Sequence, residues 1–69
     1  MSSDILREQL HRTPFYPVTL LLPSGKSYTV SNPELAMFSE TGRTLIVTQG
    51  EIFIFIDVAT VEALETAAD

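Results

Sequence analysis

Ile52-Phe53-Ile54-Phe55-Ile56 is a run of five apolar residues that a one-sided sheet cannot satisfy. Successive side chains in a strand point to opposite faces, so the three isoleucines share one face and the two phenylalanines the other. Leu20-Leu21-Leu22 and Leu45-Ile46-Val47 are apolar on both sides in the same way. A sheet with one solvated face shows a cleaner alternation of apolar and polar residues. Both faces of these strands therefore call for cover.

The chain has little to cover them with. A chain of 69 residues buries only about 60% of the surface its unfolded form exposes. Natural domains of this size add disulfides, a metal or a partner subunit. There is no cysteine, and the single histidine, His11, makes no metal site without carboxylates. A partner subunit is what remains. Burying a Phe or Ile is worth about 1.5–3 kcal/mol, and an exposed Ile52–Ile56 strand is an aggregation hazard guarded only by Glu51 and Asp57. The expectation is a homo-oligomer, dimer or higher, that buries Phe53 and Phe55, with Leu21, Ile46 and Tyr28 as further candidate contacts to a second copy or a protein partner. The competing reading is a monomer whose helix and tail cover everything.

Residues 1–69 read as one small domain, with a helix over 3–12. Ser2 or Ser3 caps it, Asp4 lies in its first turn, and Leu6 and Leu10 stand four apart on its apolar stripe. Thr13-Pro14 ends it, because a residue before proline avoids helical angles. A helix this short is unstable alone and must dock. Strands are expected at about 17–22, 26–31, 36–39, 44–48, 51–57 and 62–66. Pro23-Ser24-Gly25-Lys26, Glu40-Thr41-Gly42-Arg43 and Gln49-Gly50-Glu51 supply the turns, and Asn32-Pro33-Glu34 a single capped helical turn. The tail has two readings. Val58, Val61 and Leu64 recur every three residues, as in a helix; otherwise a helical turn at 58–61 precedes a closing strand at 62–66.

The chemistry-bearing residues form no constellation. Gly25-Lys26-Ser27 matches the end of a phosphate-binding loop, but Leu20 stands where that motif needs glycine, and strands flank the turn. His11 has no acid at i±4. Ser24, Ser27, Thr41 and Thr44 have no assigned base, and Glu62 and Glu65 read as a solvated acidic edge. Phe15, Tyr16 and Tyr28 could stack on bases, yet no basic residues interleave with them, so packing is the better reading. Neither catalysis nor a cofactor is expected.

Net charge is −5, and from Glu51 onward there are five acids and no base. That balance disfavours nucleic acid and anionic membrane. No run approaches the ~20 apolar residues of a membrane span, and the N-terminus lacks a signal-peptide pattern. A bacterial-type cytoplasm is the default expectation.

Pro14-Phe15-Tyr16-Pro17-Val18-Thr19-Leu20, then Pro23 to Val30, then Asn32-Pro33-Glu34, resembles a widespread group of short bacterial proteins of uncharacterised role. Those carry Pro-Phe-x-Pro, an apolar strand, Asp-Gly-Arg, an alternating strand ending in Val, and His-Pro-Glu. Their closing Ile-x-x-Ile-Glu pattern is matched by Val61-Glu62-Ala63-Leu64-Glu65, which favours the closing-strand reading of the tail. Here Asn32 replaces the histidine and Ser24-Gly25-Lys26 replaces Asp-Gly-Arg, and the resemblance implies no activity. A weaker similarity is to Sm-like RNA-binding barrels, in which a helix precedes five bent antiparallel strands and subunits form rings. Their base-pocket residues are not matched at Asn32-Pro33-Glu34, so this similarity implies fold alone.

The expected fold is mainly β (α+β): an N-terminal helix, then a bent five- to six-stranded antiparallel sheet or a small Sm-like barrel. The expected function is a non-catalytic protein-interaction or accessory module that self-associates. The alternative is an Sm-like nucleic-acid-binding regulator.

Overall fold

The computed structural model describes residues 1–67. Helix α1 (Ser3–His11) begins where the Ser2 hydroxyl accepts a hydrogen bond of 3.2 Å from the Asp4 amide, satisfying one of the free donors of the first turn. Leu6 and Leu10, one turn apart, are both buried. The helix stops one residue short of its expected end. Arg12 is extended, and its guanidinium lies 4.7 Å from the centre of the Tyr16 ring.

Six strands follow: β1 (Val18–Leu21), β2 (Ser27–Val30), β3 (Ala36–Phe38), β4 (Thr44–Gln49), β5 (Ile52–Asp57) and β6 (Ala63–Thr66). A 3-10 turn at Pro33–Leu35 separates β2 from β3, with the Asn32 side chain accepting from the Glu34 amide at 2.9 Å. A second, Val58–Thr60, is capped by the Asp57 carboxylate, which accepts from the Ala59 amide at 3.1 Å. The tail is therefore a turn followed by a strand, and β6 pairs antiparallel with β1, Leu64 opposite Leu20.

The strands divide into two three-stranded antiparallel sheets, ordered β2-β1-β6 and β3-β4-β5, and do not close into a barrel. Of the two expected forms, the open one is found. The inner face of the first sheet contributes Val18, Leu20 and Val30, and that of the second Leu45, Val47 and Ile56. These meet Leu6, Leu10, Val58 and Val61 in one buried cluster. Helix α1 thus completes the core instead of shielding an outer face.

Gly42 joins helix and second sheet. Its φ is +76°, which disfavours any residue with a Cβ, and a Cβ there would stand 3.2 Å from Arg7 Nη2. The same guanidinium lies 4.3 Å from the centre of the Phe38 ring, a cation–π contact. No helix among the described residues is long and apolar enough to cross a membrane.

Candidate interaction surface

Two loop hydrogen bonds fix which way every group of the second sheet points. The Val58 amide donates to Arg43 O at 2.9 Å, and the Ser39 amide donates to Thr44 O at 2.8 Å. Bonding residues alternate along an antiparallel strand. Thr44, Ile46 and Thr48 of β4 therefore bond toward β3, and Leu45, Val47 and Gln49 toward β5. In the register of β4 with β5, Phe53 and Phe55 lie opposite Thr48 and Ile46 in non-bonded pairs, where side chains approach most closely. Their own amides and carbonyls consequently point away from β4, along the free edge of β5.

Leu45, Val47 and Ile56 face the core, so Met37, Ile46 and Phe55 form one row across the outer face. Thr48 and Phe53 stand side by side in the next, with Leu35 of the 3-10 turn close by, its carbonyl accepting from Thr48 Oγ1 at 3.3 Å. Phe55 is 70% exposed, Phe53 67% and Met37 63%. Ile46 is half-buried between them. At one end the face closes in a polar row, Thr44 beside Asp57; at the other lies the turn at Gly50 and Glu51. No strand of this sheet carries a Lys or Arg.

Of the five contact residues expected from sequence, three meet here: Phe53, Phe55 and Ile46. The other two do not join them. Tyr28 lies opposite Leu20 in the first sheet, half-buried and packed against the core. Leu21 lies on that sheet's outer face, opposite Ser27 and Ala63. Neighbours in a strand face opposite ways, and these two strands belong to the other sheet. Met37 and Leu35 were missed. Their signal was the β3–β4 register, which places Met37 against Ile46, and that is a non-local property.

The residues considered for chemistry stay scattered. Gly25-Lys26-Ser27 is a hairpin turn in which the Gly25 amide donates to Leu22 O at 3.0 Å and the Lys26 amide to Ser24 Oγ at 3.3 Å. His11, Glu62 and Glu65 are exposed. Among the described residues no three His, Cys, Asp or Glu side chains converge as a metal site would require. An open depression of about 300 Å³ lies between Ser3, Gly42, Arg43 and Asp57, where the Asp57 carboxylate is already engaged by the Ala59 amide.

Comparison with protein-family models, with curated proteins and with solved structures finds no match. The reading of this chain therefore rests on its own geometry.

Proposed function

We propose that this chain is a non-catalytic protein-interaction module whose working surface is the outer face of β3-β4-β5. One observation carries the reading: an apolar face of Leu35, Met37, Ile46, Phe53 and Phe55 lies open on a strand trio that has a filled core behind it. Single exposed apolar residues are ordinary, whereas a contiguous patch bordered by polar residues marks a contact site. None of these side chains belongs to the buried core, so the face they form is free for contact.

The nucleic-acid reading gains no support from this surface. Affinity for phosphate backbones comes from Lys and Arg, and two of the four cationic side chains, Arg7 and Arg12, lie over aromatic rings.

The test replaces both phenylalanines by threonine, the residue that the first sheet carries outward at Thr19 and Thr29. The expected result is a folded variant, by circular dichroism, with weaker retention on a phenyl matrix and weaker association in sedimentation velocity. Identical retention and identical mass across the concentration range overturn the reading. So does persistent binding of random single-stranded RNA at physiological salt.

A further inference from the structure

We propose that the occupant of this face is a second copy of the chain, stacked sheet on sheet about a two-fold axis that runs along β4 past Ile46. The proposal rests on the interaction reading above and names its partner.

The area of the face suits a second copy. Aromatic side chains carry about 150–250 Å² each, so at the observed exposures the face presents roughly 500 Å² of apolar surface. Two such faces remove on the order of 1,000 Å² from water, which is where specific interfaces begin. The surface totals 4590 Å², so the face makes up about a tenth of it, the share that a specific interface takes of a small protein. Among the described residues, Ile5 on the helix and Ile52 at the end of β5 are the large exposed apolar side chains that lie apart from this face.

Shape favours the same partner. Across the row Met37–Ile46–Phe55 the side chains change from flexible at β3 to branched on β4 to aromatic at β5. In the next row Thr48 stands beside Phe53, with Leu35 of the 3-10 turn close to Thr48. Rotation by half a turn about β4 sets the aromatic side of one copy over the flexible side of its partner. Phe55 then meets Met37 of the other copy, a sulfur–aromatic contact that methionine adapts to readily. Phe53 meets Leu35, and Ile46 meets itself on the axis. The face is complementary to itself only in this sense, since a rotation that put β5 over β5 would stack high on high.

Charge favours stacking over edge pairing. Each copy carries −5, which opposes association wherever acids meet. The two rows contain no charged residue, and Asp57 stands at the end of the face, on the polar row with Thr44. Pairing two β5 edges is the other way to use this strand. With Ile54 opposite Ile54, that arrangement sets Glu51 against Asp57 of the other copy, and like charges directly opposed are destabilising. It would also leave Met37 and Leu35 in water.

Met37 makes the wild-type protein its own probe. Sedimentation across a wide concentration range is read beside the rate of peroxide oxidation of Met37. The expected result is a dimer mass at high concentration, with Met37 oxidation slowed severalfold as the dimer forms. Phe55→Glu should raise the dimer dissociation constant by about a hundredfold. Ile46→Cys, in a chain with no other cysteine, should be linked between copies by a short bismaleimide that spans the ~10 Å between stacked sheets. A dimer whose Met37 oxidises at the monomer rate overturns the stacking, and a disulfide-linked Ile54→Cys dimer assigns the contact to the β5 edge instead. A monomer mass throughout overturns the second copy while leaving the face to a different protein partner. A dimer that Phe55→Glu does not weaken removes this face from the self-contact and overturns the stacked dimer; unchanged phenyl-matrix retention of the double threonine variant overturns the interaction reading as well.

Discussion

The two sheets are built alike and finished differently. Each has three short antiparallel strands, each contributes three fully or nearly fully buried side chains to the shared core, and each has a central strand flanked on both sides. Their outer faces diverge. On β2-β1-β6 the outward residues are Thr29, Thr19 and Glu65 in one row, and Ser27, Leu21 and Ala63 in the next. On β3-β4-β5 the corresponding rows are Met37, Ile46, Phe55 and then Thr48, Phe53, with Leu35 of the 3-10 turn beside them. The edges differ as well: β2 ends the first sheet with exposed Ser27 and Thr29, and β5 ends the second with exposed phenylalanines. One sheet is finished for water. The other keeps large apolar side chains outward, although the core behind it is already filled without them.

That comparison assumes that the inner faces form one cooperative unit. Leu20 of the first sheet and Leu45 of the second are both fully buried. Leu20→Ala and Leu45→Ala should each destabilise the fold by about 2–5 kcal/mol, through lost transfer energy and the cavity left behind. Urea unfolding followed by both circular dichroism and tyrosine fluorescence tests this. If one substitution costs far less, or the two probes part company, the sheets are separate units and the contrast between their outer faces loses its meaning.

What the sequence made legible follows the range of the interaction. Strand positions, the three turns and the Asn32 cap are local consequences of alternation and of proline, glycine and asparagine chemistry, and the structure places them within a residue or two. Phe53 and Phe55 were readable as a pair on one face because parity within a single strand is also local. The division into two sheets was not, since it depends on β1 pairing with β6 across nearly fifty residues, Val18 meeting Thr66. Leu21 and Tyr28 show the same limit. Both are apolar and near a turn, but only the hairpin register, Leu20 with Tyr28 and Leu21 with Ser27, reveals that one packs on the core and the other faces outward. The graded exposure along Ile52, Ile54 and Ile56 has a similar cause: the strand runs past the end of the core, so Ile56 is 3% exposed and Ile52 65%.

The turns sharpen the contrast at a smaller magnitude. Gly25 ends the first hairpin with φ +85° and open space where a Cβ would go. Gly42 has φ +76° and Arg7 against it. Alanine at either site should cost about 1–2 kcal/mol for the left-handed backbone. Gly42→Ala should cost more, because it also shifts Arg7 from the Phe38 ring, a contact worth about 0.5–1 kcal/mol. In an Arg7→Ala background the two glycine substitutions should then cost the same. A gap that survives in that background assigns the difference to something other than the helix-to-sheet contact.

The smallest effect probes why the first sheet stays solvated. Thr19 and Thr29 face each other on its outer side with their hydroxyls 2.9 Å apart, and Glu65 lies opposite Thr19 on the other flank. Cross-strand pairs of this kind contribute about 0.2–1 kcal/mol. A double-mutant cycle with Thr19→Val and Thr29→Val should therefore return a coupling in that range from chemical denaturation. The double variant gives the first sheet an apolar patch beside Leu21 and Ala63, yet the Glu65 carboxylate in the same row must stay in water. It should accordingly form no assembly larger than that of the wild type, whereas adding Glu65→Val should produce one. Should the double variant already associate further, hydroxyls rather than the carboxylate keep that face free, and the lone Asp57 at the end of the second sheet becomes too weak a guard to explain where contact stops.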